Sequence, residues 1–143
     1  MNREILFRAQ QADTKEWVYG YPVFDFADCN LKRNGKCACE HSGELMCFYG
    51  WIDELHEYGE IDVIPETICQ YTGFSDCNKA KVFEGDILKG REKLYIVEFD
   101  SSFGAFTVRS NAKGSLRCFF GKTESKYMKV AGNVFDNPEF LNQ

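Results

Sequence analysis

Leu94-Tyr95-Ile96-Val97-Glu98-Phe99 reads as an extended strand, because successive side chains of a strand point to opposite sides and Tyr95, Val97 and Phe99 then share one face. Tyr, Ile, Val and Phe also suit a pleated, half-buried surface. The same alternation recurs on either side: Ile5, Phe7 and Ala9 near the start, Met128, Val130 and Val134 near the end. Such runs predict strands near 4–9, 16–26, 45–50, 60–65, 80–89, 94–100, 104–110, 115–120 and 127–135. Between them stand residues that let a chain reverse: Asn34-Gly35, Gly43, Ser75-Asp76, Lys89-Gly90, Ser101-Ser102, Lys113-Gly114 and Gly121-Lys122. The fold class is therefore all-β, mainly antiparallel.

Helical periodicity is confined to Trp51, Leu55 and Tyr58, at i, i+4 and i+7, which predicts one short helix over 51–58 with His56 on its exposed side. A last helical turn is expected over 137–141, with Asn137 as cap and Pro138 at the first helical position. Helix should account for at most about a tenth of the residues. The closely spaced strands from Val82 to Phe135 predict a C-terminal SH3-like small barrel over about residues 66–136, closure disposing of exposed sheet edges. The N-terminal strands would pack on it as a second β layer.

A chain of 143 residues is one domain long and buries roughly 70% of the surface its unfolded form exposes. Apolar content of 44%, with 15% aromatic residues and three prolines, is globular rather than disordered composition. No stretch approaches the about 18 consecutive apolar residues of a membrane span, and the N-terminus is charged where a signal peptide needs an apolar core. A cytoplasmic protein is expected. Seven cysteines in such a setting are expected to be free thiols. The net charge of −5 is unevenly divided: residues 1–78 carry 6 basic and 14 acidic side chains, whereas residues 79–129 carry 11 basic and 6 acidic. That asymmetry argues against a protein that coats nucleic acid generally, while leaving one face suited to phosphate or an acidic partner.

Cys29, Cys37, Cys39, His41 and Cys47 gather enough soft ligands for a tetrahedral zinc ion, but a single residue separates Cys37 from Cys39 where zinc knuckles hold two to four. The cluster reads better as a hairpin around Asn34-Gly35 with incidental thiols. Cys39 beside His41 lacks a nameable orienting group or oxyanion donors, so it makes no catalytic pair. Glu84 and Asp86 flank Gly85 in what reads as a turn or bulge rather than a pair of acid and base carboxylates. No phosphate-binding glycine loop or serine elbow is present. An enzyme is thus the less favoured class, and no cofactor is expected.

Basic and aromatic residues interleave in Arg109, Lys113, Arg117, Phe119, Phe120, Lys122, Lys126, Tyr127 and Lys129. Cations neutralise phosphates and aromatic faces stack on bases, so a β surface with both can hold a single strand. Arg117, Lys122, Lys126 and Lys129, with Phe119 and Tyr127, are the candidate nucleic-acid contacts. The rival is a protein-binding factor using the acidic half, where Asp53, Glu54, Glu57, Glu60 and Asp62 form the candidate stripe. Self-association into a homo-oligomer is left open.

Three segments resemble the YopX family of bacteriophage and prophage proteins: Arg3 to Ala9, the run DVIPETICQYTGFSDCNKAKVFEGD from Asp62 to Asp86, and Ala131 to Glu139, reading AGNVFDNPE. They occur in order over nearly the whole chain. Gln10 stands where the family usually has Trp, and Cys69 where Gly is usual. The resemblance, which leaves Asp28 to Gly59 uncovered, implies a single YopX-like domain over 1–143; within it the residue pattern places a β layer over 1–65, with the Cys-containing hairpin and the short helix, and the barrel part over 66–143. The resemblance implies a phage or prophage role in a bacterial host but no particular activity; the expectation of a nucleic acid or a host or phage protein as partner comes from the charge pattern instead.

Overall fold

The computed structural model describes residues 3–25, 44–110 and 117–142. The chain divides into two compact units, residues 6–68 and residues 1–5 with 69–143.

In the first unit four strands follow one another: β1 (Phe7–Gln10), β2 (Trp17–Asp25), β3 (Glu44–Ile52) and β4 (Glu57–Ile61). They lie side by side in antiparallel order β4-β3-β2-β1. Strand parity sorts their side chains: Phe7, Ala9, Val18, Phe48 and Ile61 take one face and form a core with Leu45, Val63 and Ile68. After β4 the chain returns to β1. Ala12 N donates to Asp62 O at 2.8 Å, Ile64 N donates to Gln10 O at 2.9 Å, and Gln11 forms a bridge with Val63. A 3-10 turn at Pro65–Thr67 secures this return, since the Thr67 hydroxyl accepts from Gln10 N at 2.8 Å and donates to Ile64 O at 2.6 Å.

Residues 51–58 are not helical: they are the tip of the β3–β4 hairpin. Trp51 pairs with Tyr58 across the ladder, their rings edge to face with centroids 5.3 Å apart. Two helical turns cannot stand alone, whereas a β-hairpin continues a ladder already in place. The i, i+7 spacing of the two aromatics is also the spacing of cross-strand partners flanking this turn. Leu55, at the turn, is 60% exposed.

The second unit holds β5 (Cys69–Ser75), β6 (Lys81–Phe83), β7 (Asp86–Lys89), β8 (Leu94–Asp100), β9 (Ala105–Ser110), β10 (Cys118–Phe119) and β11 (Lys129–Asn133), with a helical turn α1 (Lys122–Ser125) before β11. β5 and β6 form an antiparallel hairpin. The other five make one antiparallel sheet in the order β10-β9-β8-β7-β11. β10 and β11 are its outer strands and are not paired with each other among the described residues, so the five strands expected of a small barrel are present as an open sheet. Val82, Leu88, Val97, Val108 and Phe120 are the core, with Phe74, Tyr95, Phe106, Met128 and Val130 packed against it. Tyr95 and Val97 face that core as alternation requires, while Phe99, at the strand end, is exposed and meets Phe106.

β5 escaped the pattern because Tyr71 and Thr72 are both buried, which leaves no alternation to read, and because Gly73, at φ 90°, sits where the register shifts. A second structural point is Asp76. Its carboxylate accepts N–H bonds from Asn78 and Ala80 at 2.8 Å each, and from Val130 at 2.9 Å, tying the β5–β6 turn to β11. Among the described residues, helix is limited to the three-residue turn at Pro65–Thr67, the four residues of α1 and the five-residue 3-10 segment Pro138–Asn142. Among the described residues, no helix is long and apolar enough to cross a membrane.

Candidate nucleic-acid interface

β9 positions Arg109 beside Glu98 on β8. Its Nε lies 3.0 Å from both carboxylate oxygens, and a terminal nitrogen lies 2.9 Å from one of them. Arg117, just before β10, reaches Asp100 at 3.2 Å and Glu98 at 3.6 Å. Burial acts upward on the Asp100 carboxyl but is outweighed by the Ser102 N–H, Arg117 and the Phe103 N–H, which hold it below the usual carboxylate range. These two arginines therefore already have anionic partners. Phe120 belongs to the core, and Phe119 is exposed with its ring edge to face with Phe103 at 5.6 Å. Arg117 and Phe119 thus mark the β10 edge of the sheet, while Lys129 lies on β11 at the opposite edge.

At that opposite edge the chain brings cations together that are far apart in sequence. Lys89 on β7 is the direct partner of Lys129 on β11, and both are exposed. Like charges directly opposite one another destabilise a ladder, so this pairing is a cost that a bound anion would relieve. Next to Lys89 the β7–β8 turn, closed by Gly90 N donating to Lys93 O at 2.9 Å, presents Arg91 and Lys93 to solvent together with Glu92. Next to Lys129 the segment after α1 presents Lys126 and Tyr127, the latter 76% exposed. Between the two runs lies a groove of 530 Å³ lined by Gly90, Arg91, Tyr95, Tyr127 and Met128.

Local chemistry holds this edge in shape. Gly121 N donates to the Glu124 carboxylate at 3.1 Å and Ser125 Oγ donates to Lys122 O at 3.0 Å, fixing the one-turn α1. Met128 turns inward to the core, and its carbonyl accepts from Cys77 N at 3.0 Å. Its neighbours Tyr127 and Lys129 are thereby left outward. Among the described residues, Lys89, Arg91, Lys93, Lys122, Lys126 and Lys129 have no carboxylate within ion-pair distance. Such a site offers charge and an aromatic ring, which is what binding of a polyanion needs.

Of the residues singled out from the sequence, Lys126, Tyr127 and Lys129 come together here, with Lys122 on α1 a few residues before them. Arg117 and Phe119 stand apart, and Lys113 lies outside the described residues. Lys89, Arg91, Lys93 and Tyr95 were missed. Their only sequence signal was a charged turn, and what gives it meaning is the β7–β11 pairing.

The other candidates are placed as follows. Glu84, Gly85 and Asp86 form the turn between β6 and β7, where Gly85 takes φ 85° and Asp86 accepts from Phe83 N at 2.8 Å. Gly85 N donates to Val97 O, and its own carbonyl accepts from Val134 N. Burial raises the Glu84 carboxyl against the lowering effect of the Gln70 N–H. Cys29, Cys37, Cys39 and His41 lie outside the described residues, and Cys47 is a half-buried free thiol on β3. Asp53 and Glu54 occupy the β3–β4 turn, Glu57 and Glu60 lie on β4, and Asp62 follows it.

The fold is similar to that of protein EF1440 from Enterococcus faecalis, whose crystal structure matches with a TM-score of 0.58 and 22% sequence identity over 98% of this chain and 99% of that one. No curated protein sequence is significantly similar to the chain. The profile of the YopX protein family matches residues 6–142, nearly the whole length, and the chain therefore belongs to the YopX family.

Proposed function

We propose that this protein is a non-catalytic binding module of phage or prophage biology, working in the bacterial cytoplasm, and that it holds single-stranded nucleic acid along the β7–β11 edge. We read the five-stranded sheet as an opened version of the SH3-like barrel. The observation that carries the functional reading is the register pairing Lys89 with Lys129 beside the Arg91–Tyr127 groove. Phosphates would lie along Lys89, Lys93, Lys126 and Lys129, and a base would stack on Tyr127. Arg117 has a lesser part in this reading, because Asp100 and Glu98 already neutralise it. The test is titration of a labelled single-stranded oligonucleotide into wild type and a Lys126→Ala/Lys129→Ala variant over a salt series. Binding that weakens with salt, and weakens further in the variant, supports the reading.

A further inference from the structure

The sheet of the first unit has a second face, opposite its core, and that face is aromatic. Tyr19 and Tyr21 on β2, Tyr49 and Trp51 on β3 and Tyr58 on β4 are each between 43% and 53% exposed. Register makes them neighbours: Tyr21 is opposite Tyr49, Trp51 is opposite Tyr58, and Val23 extends the patch opposite Cys47. Antiparallel sheets with one solvated face normally alternate apolar inward and polar outward. Here the inward positions already supply a core, so the outward aromatics are not needed to build one. A contiguous exposed patch of Tyr and Trp has the composition of a protein-binding surface.

Its electrical setting narrows the partner. Residues 44–68 contain seven carboxylates and neither Lys nor Arg. Glu60 lies on the aromatic face itself, directly opposite Tyr49. A groove of 300 Å³ has Trp17 and Trp51 among its walls, and its charged lining consists of Glu16, Asp53, Glu54, Glu60 and Asp62. Such a surface repels polyanions and attracts cations. The same face already holds one cation: the Arg8 guanidinium stacks over the Trp17 ring, 4.5 Å from its centroid. A guanidinium is planar, weakly hydrated and suited both to an aromatic face and to carboxylates, more so than an ammonium.

We infer that the β2–β3–β4 face docks a protein partner that presents arginine side chains. The partner's guanidinium groups stack on Tyr49, Trp51 and Tyr58 and pair with Glu60 and the carboxylates beside it. This surface is separate in sequence and in charge from the cationic edge of the other unit, and it does not depend on the nucleic-acid reading.

The test uses three capped peptides of equal length, with Arg-Gly, Lys-Gly and Glu-Gly repeats, titrated into the isotope-labelled full chain. The Arg peptide should shift the Trp51 indole resonance and the amides of β2, β3 and β4, bind more tightly than the Lys peptide, and weaken as salt is added. Trp51→Ala should reduce its affinity at least tenfold while the melting temperature stays near that of wild type. Tyr21→Ser, on a different strand, should weaken it in the same direction. Equal binding of the Glu peptide, shifts confined to residues 69–142, or no shift at all would overturn the inference. So would dimers in sedimentation that Trp51→Ala abolishes, because the occupant would then be a second copy of this chain.

Discussion

Asp76 illustrates how one short side chain holds several elements. It is buried, and its two oxygens accept from three backbone N–H groups in partly buried hydrogen bonds. Leaving buried donors unsatisfied costs about 1–3 kcal/mol each, partly recovered where water can enter. Asp76→Ala should therefore lower the free energy of unfolding by about 2–4 kcal/mol in urea denaturation, and Asp76→Asn by less. Glu84 acts in the opposite sense. Its carboxyl is raised by burial, so the folded chain takes up this proton more readily than the unfolded chain. Its contribution favours folding below the unfolded carboxylate range and is lost as pH rises through the folded value. Glu84→Gln should raise the melting temperature at neutral pH, and the gain should shrink as the pH falls through the raised folded value and be gone below about 4, the unfolded carboxylate range. The sequence showed both residues at a turn. The third bond of Asp76, to Val130 54 positions away, was beyond any local pattern.

Elements were legible where one face is buried and the other wet. β2, β8 and β9 lie close to where alternation predicted them. The β3–β4 tip and β5 were not legible, the first because a cross-strand spacing coincides with a helical one, the second because both of its faces are covered near Tyr71 and Thr72. The candidate site followed the same rule. Lys126, Tyr127 and Lys129 could be read as a local run, whereas Lys89 and Arg91 acquire meaning only from the ladder between β7 and β11. That ladder yields a prediction in which stability and binding part company. Lys89→Glu replaces a like-charge pair with an opposite one across from Lys129, a change worth about 0.2–1 kcal/mol of added stability in thermal unfolding. The same substitution should weaken oligonucleotide binding, because a carboxylate would then face the phosphate in place of an ammonium. A purely structural lysine pair would show the first effect without the second.

At the scale of the whole molecule, composition already announced an acidic part and a basic part, and each unit converts its excess charge into a surface. In the unit of residues 6–68 the carboxylates border an aromatic sheet face. In the other unit six cations have no carboxylate partner among the described residues, and Arg91 among them shares a groove with an exposed tyrosine. Net charge alone could not have shown this, because Arg109 and Arg117, two of the basic residues that most suggested a binding face, are taken up by Glu98 and Asp100. The central claim is that the remaining cations meet phosphate, and the most direct measurement is fluorescence anisotropy of a labelled dodecathymidylate against protein concentration from low to physiological salt. The account predicts that log affinity falls linearly with log salt and that removal of Lys126 and Lys129 reduces the slope by about 0.7 for each phosphate no longer neutralised. Unchanged anisotropy at the lowest salt, or a slope the double variant does not alter, would contradict it.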